Sequence, residues 1–421
     1  MELLLLVALI VLFLLGVEVI TVLGIAAIGL TLIHPSFPMA NIGLTMFDSL
    51  NLFPLLALPL FVITGDLIAE GGISAQIMRF SRSLVGWARG GLALTSIVAS
   101  GIFAAISGSN AATVATVGKV VLPEMKKECY PTNFSAATVA AGGVVGIVIP
   151  PSIAFVLYGV TTGVSVTDLF IAGILPGLLM MTAMCLAAYM ISRRKGYGVR
   201  TTFRVKTVVH TLFDTKWAIG AILIILLGIY SGIFTPTEAG AVAAVYCLAV
   251  GVLITRRIRV RQIPAVFANS ARICGLIAPI VAVAVVVSQN LAVMGIPAMM
   301  VDALVGWTDH QVLQVLMVLL LLLFVGCVME ASPSILLLAP ILMPVANQIG
   351  ISPIHFGVIM VTTLAVGFIT PPIGLNLFVA SAVSGENVIQ IIKAVAIYIV
   401  ALVMAVLAIA FVPTLSLAFL N

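Results

Sequence analysis

Charged residues are what this sequence has least of. Asp, Glu, Lys and Arg make up 8% of its 421 residues, where a soluble globular chain carries about 25%. So few charges cannot cover a water-facing surface, which excludes a soluble enzyme, a nucleic-acid-binding domain and a disordered scaffold. Cysteine is also scarce. Cys129, Cys185, Cys247, Cys274 and Cys327 are an odd five without a CxxC pair. Most lie in apolar runs, so they read as packing residues and not as a disulfide or metal framework. The four histidines, His34, His210, His310 and His355, fall near predicted membrane edges or loops, with no Cys or carboxylate at metal-ligand spacing. HExxH, GxSxG and Walker A patterns are missing. Nothing here could hydrolyse ATP, so energy must come from an ion gradient or another chain. A cleavable signal peptide is not expected, because Met1-Glu2 gives no basic segment and the first apolar run continues past residue 30.

What is abundant is apolar sequence: 62% of residues are hydrophobic and mean hydropathy is +1.32. A spanning helix needs about 20 apolar residues. Nine stretches reach or approach that length: 3–33, 52–70, 134–162, 169–191, 217–234, 239–255, 273–298, 354–383 and 394–417. Two more fit poorly as single spans. Residues 92–122 are interrupted by Ser107-Gly108-Ser109-Asn110, and 311–346 by Glu330-Ala331-Ser332-Pro333. Split in two, each arm of the first has about 15 residues, about 23 Å of helix against an apolar core about 30 Å thick. Both therefore read as re-entrant hairpins with polar tips. With the N-terminus cytoplasmic, all 19 Lys and Arg fall on the cytoplasmic side, a strong positive-inside signal. The net charge of +5 thus belongs to the membrane and not to a nucleic acid.

The chain also resembles itself. Pro123, Gly146 and Pro150-Pro151 recur as Pro344, Gly367 and Pro371-Pro372, each at an offset of 221. Pro59 and Leu84-Val85-Gly86-Trp87 recur as Pro279 and Leu304-Val305-Gly306-Trp307 at an offset of 220. This indicates a duplication, roughly 50–162 and 270–383. Arg79, Arg82 and Arg89 flank LVGW in the first copy, whereas Asp302, Asp309 and His310 flank it in the second. That reversal of charge is the signature of an inverted-topology repeat, the plan of many secondary transporters. A pore or a structural membrane subunit is the bland alternative. The expected fold is all-α and integral to the membrane. Residues 1–49 supply an N-terminal scaffold helix and connecting segment. Repeat 1 (50–162) holds a scaffold helix, hairpin 92–122 and broken helix 134–162. Transmembrane helices in 163–269 link it to repeat 2 (270–383), with hairpin 311–346 and broken helix 354–383. A C-terminal span occupies 384–421.

The breaks carry the chemistry. Paired prolines remove two N–H donors and stop a helix, and the freed carbonyls must be satisfied by protein, water or a cation. Hard oxygen ligands at the negative end of a half-helix suit Na⁺. The first tip offers Ser107, Ser109, Asn110 and Thr113, and the returning arm presents N–H groups that can hold a carboxylate. Ser107, Thr113, Ser152, Ser332 and Asn376 are the candidate substrate contacts. The competing reading is a proline kink with back-bonded hydroxyls. Glu330 at the second tip is an acid within apolar sequence, where insertion costs roughly 2.5 kcal/mol or more. It reads as a coupling-site residue, or else as a helix cap. Asp66 and Glu70 read as structural acids near basic residues. In Thr235-Pro236-Thr237-Glu238-Ala239-Gly240, Thr237 reads as a helix cap with Glu238 in the first turn.

These residues resemble a known family. SGSNAATVA (107–115), GIVIPPS (146–152), TPTEAGAVAA (235–244), LLLAPILMP (336–344) and GFITPPIG (367–374) are similar to motifs of the large, DctM-like permease subunit of tripartite ATP-independent periplasmic (TRAP) transporters. The resemblance covers essentially the whole chain. It implies an elevator-type, Na⁺-driven importer of small organic acid anions in the bacterial inner membrane, with a cytoplasmic N-terminus and a periplasmic C-terminus. Dicarboxylates, sugar acids, sialic acid and keto acids all stay open as substrates. It implies two partners, a small four-helix membrane subunit on a separate chain and a periplasmic binding protein. It implies no cofactor and no metal other than Na⁺ as coupling ion. One Na⁺ site would involve Ser109, Asn110, Gly143, Gly146 and Pro150; the other would involve Glu330, Ala331, Gly367, Thr370 and Pro371. A self-sufficient Na⁺/carboxylate symporter and a non-transporting channel or structural subunit are the alternatives.

Overall fold

A computed structural model of the chain describes residues 5, 7–9, 11–12, 15–34, 38–198 and 202–420, with backbone alone at 304 and 305. Met1, Glu2, Arg200 and the Leu304-Val305 side chains, used in the readings above, lie outside the described residues. Among the described residues every regular element is a helix. Helices α1 (Val19–Ile33) and α2 (Ala40–Leu50) lead to α3 (Ala57–Glu70) and α4 (Ser74–Val85). A hairpin of α5 (Gly91–Ser107) and α6 (Asn110–Lys127) follows, then α7 (Thr132–Gly142), which tightens into a 3₁₀ turn over Gly143–Ile147 and stops. The chain resumes as α8 (Ile153–Thr162). Helices α9 (Val166–Lys195), α10 (Val205–Asp214), α11 (Lys216–Tyr230) and α12 (Pro236–Ala249) link to α13 (Ile263–Val293) and α14 (Ile296–Trp307). A second hairpin, α15 (Gln311–Val328) and α16 (Ala331–Gln348), precedes α17 (Pro353–Gly367), a second break, and α18 (Leu375–Ser384). The long α19 (Val388–Phe411) and short α20 (Thr414–Leu417) end the fold.

Seven of these helices are long and apolar enough to cross a membrane, or eight if α10 and α11, bent by 72°, count as one span. Apolar side chains such as Leu227, Val245, Leu276, Leu320 and Val400 point outward, as they must where the solvent is lipid. The hairpin arms are longer than the sequence suggested. They hold 17 and 18 residues in the first hairpin and 18 and 18 in the second, or about 26–27 Å of helix. Arm length therefore does not by itself separate a re-entrant hairpin from two spans; the polar turn between the arms is what distinguishes it.

Helix ends follow local chemistry. Ser165 caps α9 by accepting the Asp168 N–H at 3.2 Å, and α9 ends in Arg193-Arg194-Lys195 before Gly196 at φ 74°, a basic last turn closed by a left-handed glycine. The cap of α12 is Thr235, not Thr237. Thr235 accepts the Glu238 N–H at 3.3 Å while Glu238 accepts the Thr235 N–H at 2.9 Å. This capping box leaves Pro236 at the position where a missing N–H costs nothing, and Thr237 instead donates to the Phe53 carbonyl. His355 lies in the first turn of α17, next to the loop that precedes it. It is buried in α17, with ring nitrogens 3.0 Å from the Ser416 hydroxyl and 3.3 Å from the Ala410 carbonyl. His210 lies 3.3 Å from Asp214 one turn away on the surface.

The duplication is visible in the helix ends. Asn110–Lys127 and Ala331–Gln348 are related by 331 − 110 = 348 − 127 = 221, and α7 and α17 start at Thr132 and Pro353, again 221 apart. The two copies interlock crosswise. Arm α6 packs along α18 of the other copy, and arm α16 packs along α8. Helices α7 and α17 are buried on nearly every side, so both lead into their breaks from the interior of the molecule. Near the second break α15 crosses α17 at a point where a Cβ on Gly326 would sit 2.8 Å from the Leu364 carbonyl oxygen, an approach that only glycine permits. Gly326→Ala is expected to destabilise the protein by about 1–3 kcal/mol through overpacking. Gly275→Ala, where a Cβ meets nothing within 4 Å, should leave the melting temperature of the purified protein unchanged or raised.

Candidate functional site

Each hairpin turn lies against the helix break of its own copy. In the first, Gly108 turns the chain at φ 59° and Ser109 caps α6 in an extended conformation. A Cβ on Gly146 would lie 2.7 Å from the Ser109 carbonyl oxygen and 2.8 Å from the Asn110 Cα, so the glycine is what admits the turn. One on Gly143 would lie 3.2 Å from the Asn110 carbonyl oxygen and 3.1 Å from Asn376 Nδ2. Past Ile147 the helix ends, and the Pro150-Pro151 bond is cis. Among the described residues, no N–H or O–H donates to the carbonyls of Val148, Ile149, Pro150 or Pro151. The second pair repeats this arrangement. The Gly374 N–H donates to the Cys327 carbonyl at 3.2 Å, and the Asn376 N–H to the Phe368 carbonyl at 3.0 Å. No donor reaches the carbonyls of Ile369, Thr370, Pro371 or Pro372 among the described residues. Pro150 and Pro151 are buried, whereas Pro371, Pro372 and Ile373 are exposed. One set of free carbonyls is thus enclosed and the other open.

The two copies meet at Asn376. Its side-chain oxygen accepts from Asn110 Nδ2 at 3.1 Å, and its own Nδ2 donates to the Ala140 carbonyl at 3.1 Å. All three groups are buried, so this bridge ties the first tip and α7 to the second half-helix.

Both tips open into one cavity of about 120 Å³. Ser107, Ser109 and Asn110 form one wall, Glu330, Ala331 and Ser332 another, and Asp66 a third, with Phe103, Ile273 and Ile277 as apolar lining. Two carboxylates therefore face the same space, and no Lys, Arg or His is among its lining residues. Glu330 occupies the cap position of α16, yet its side chain makes no capping bond. Its backbone carbonyl accepts from Ser334 instead. The carboxylate is thus free for whatever enters the cavity.

Not every candidate lies on this wall. Thr113 is buried behind the tip, donating to the Ser109 carbonyl at 2.6 Å, 3.3 Å from the Ser107 hydroxyl. Ser152 is fully buried, donates to the Ile147 carbonyl and accepts the Phe155 N–H at 3.4 Å, so it caps α8. Thr370 donates to the Val366 carbonyl at 2.8 Å. Gly367 lies against Gly326 and Cys327. In the sequence Asp66 reads as a structural acid near basic residues. Its neighbours are instead Asn269 and Ser270, donating to Oδ2 at 3.0 and 2.7 Å. Both bonds fall on one oxygen, and the residue lines the cavity. An acid in a predicted span was the signal that could have placed it there.

Proteins of known type are similar to this chain in sequence, and another in fold. Residues 6–415 match the family described as DctM, the DctM component of tripartite ATP-independent periplasmic transporters. The chain is 38% identical over 406 residues to the isethionate TRAP transporter permease protein DctMQ of Oleidesulfovibrio alaskensis, covering 96% of this chain but only 64% of that relative's length. It is 36% identical over 403 residues to the C4-dicarboxylate TRAP transporter large permease protein DctM of Pseudomonas aeruginosa, covering 95% of this chain and 93% of that one. The crystal structure of the Alcanivorax borkumensis YdaH transporter has the same general fold, with a TM-score of 0.60 at 15% identity over 87% of this chain and 86% of that one. This all-helical, multi-pass membrane protein belongs to the DctM family of large TRAP transporter permeases and is not an enzyme.

Proposed function

We propose that this permease imports small organic acid anions across the inner membrane by coupling them to Na⁺, in an elevator movement of its hairpins and broken helices. The observation that carries the reading is the electrostatics of the central cavity. An organic anion entering a space walled by Asp66 and Glu330, with no base in its lining, is repelled unless cations arrive with it. The carbonyls left free at Val148–Pro151, between Ile147 and Ile153 of the cavity lining, are hard oxygen ligands of the kind Na⁺ takes, and those left free at Ile369–Pro372 are a second such set. One ion would lie among Ser109, Asn110, Gly143, Gly146 and Pro150, and another among Glu330, Ala331, Gly367, Thr370 and Pro371. Ser107 and Ser332 would contact the substrate directly. Thr113, Ser152 and Asn376 would hold the walls in place.

The family's tripartite name supports two partners, a small four-helix membrane subunit and a periplasmic binding protein that delivers the solute. Basic residues confined to one side of the spans favour re-entrant hairpins in two inverted repeats, with a cytoplasmic N-terminus and a periplasmic C-terminus. The substrates in the relatives' names, isethionate and C4-dicarboxylates, are small acid anions, and this chain's cargo belongs to that class.

Proteoliposomes holding the permease, its small subunit and a loaded binding protein are expected to take up solute only with an inward Na⁺ gradient. Uptake unchanged without Na⁺ would sink the proposal, and uptake by the permease alone would make it a self-sufficient symporter. Ser109→Ala and Glu330→Gln should each raise the Na⁺ concentration for half-maximal uptake by about tenfold, equivalent to about 1.4 kcal/mol of lost binding; unchanged Na⁺ activation removes that residue from its site. Asn376→Ala leaves two buried partners unsatisfied and should lower stability by about 1–3 kcal/mol, read as a lower melting temperature.

A further inference from the structure

The seam between α6 and α18 runs from the central site to a second, separate cavity. At its inner end Asn110 meets Asn376. At its outer end Gly118 lies against Val383, a Cβ there falling 3.3 Å from Val383 Cγ1. Beyond that point the seam opens into a cavity of about 380 Å³, lined by Lys119, Lys126, Thr132, Ser135 and Ser384 among others. Lys119 and Lys126 are seven residues apart on one face of α6, about 14 and 24 Å along the helix from the tip. Among the described residues neither ammonium has a carboxylate within ion-pair distance. The acids on the same helix are used elsewhere: Glu124 and Glu128 lie 3.0 and 2.8 Å from Arg82 on α4. Helix α6 and its cap thus turn Glu124 and Glu128 to one neighbour and Lys119 and Lys126 to an open space.

Hydroxyls complete the lining. The Ser384 hydroxyl accepts the Glu386 N–H at 3.1 Å and keeps its own proton to donate. Ser135 donates to the Pro131 carbonyl and can accept. The Thr132 hydroxyl has no hydrogen-bond partner among the described residues. Two like charges facing one concave space repel until an anion sits between them, and ammonium with hydroxyl donors is the set that binds carboxylate or phosphate oxygens.

We infer that this cavity is an oxyanion site on the basic side of the permease, distinct from the central cavity. Two sources present that chemistry there: the carboxylate of a solute leaving the central site along the α6–α18 seam, and the phosphate of an acidic lipid headgroup. A released solute would gain a staging point that pulls it away from Asp66 and Glu330. A lipid phosphate would anchor α6 at the membrane surface.

The test uses the full permease with its small subunit, purified in phosphatidylcholine nanodiscs and Na⁺-free buffer, which silences a Na⁺-coupled central site. Succinate binding is titrated, and retention of added phosphatidylglycerol is counted by native mass spectrometry. Lys119→Gln with Lys126→Gln should weaken one or both by about tenfold, as expected for lost charge-assisted bonds, and the Lys→Arg pair should largely retain them. Loss of succinate binding identifies the solute as occupant, and loss of phosphatidylglycerol identifies the lipid. Lys195→Gln with Lys206→Gln removes the same net charge from exposed positions elsewhere and should change neither. Equal binding of both probes by the wild type and the Lys119/Lys126 variant overturns the inference, as does an equal loss in the Lys195/Lys206 control. Na⁺-dependent uptake tests the central site separately, so either reading can fail without the other.

Discussion

A backbone interrupted inside a medium without water has to find its partners within the protein. That constraint organises this molecule. Two helices stop at paired prolines, and eight carbonyls around the stops receive no hydrogen bond from the described residues. Everything nearby is arranged around them. Glycines 143 and 146 let a polar turn come close, Gly367 lets the end of α15 do so, and the helices leading to the breaks are enclosed on nearly every side. At the first break, oxygen atoms without donors lie between Ile147 and Ile153 of a cavity that contains two acids, and together they form an environment of negative potential. Such an environment disfavours an anion by itself and favours an anion accompanied by cations.

Charge is sparse enough that its placement can be followed residue by residue. Asp66 and Glu330 face the centre. Arg82 holds Glu124 and Glu128 at the outer end of α6, while Lys119 and Lys126 line the space beside α18. Tyr130, whose hydroxyl burial pushes up to about 12, adds no charge to that lining, whose charged residues are the two lysines. The polarity along α6 therefore changes from acid-lined at the tip to basic at the far end.

Much of this was legible in the sequence because the repeat made it so. A lone diproline is ambiguous, but Pro150-Pro151 and Pro371-Pro372 at a fixed offset, each following a glycine and facing a polar interruption, located both tips and both breaks. What the sequence hid was the direction of individual side chains. Ser152 and Thr113 look like ligands in a motif, yet their hydroxyls are used on nearby backbone carbonyls. Thr235 and Thr237 both precede apolar helix, and only the reciprocal bond to Glu238 decides between them. Asp66 does hold structural hydrogen bonds, but from Asn269 and Ser270 and not from the bases near it in sequence; those partners lie about 200 residues away, a separation across which local pattern carries no information. The hairpin arms were undercounted because polar residues at helix ends, such as Lys126, Lys127 and Gln348, continue the helix without continuing the apolar run.

The crosswise packing of the duplicated halves has a further consequence. Arm α6 finds its cover on α18 and arm α16 on α8, so neither half owns all the surface that shields its own interruption. A solitary half would present a bare arm and an unsheltered stump of helix to lipid. A single unit would need a second copy beside it to supply that shelter, which the duplication builds into one chain.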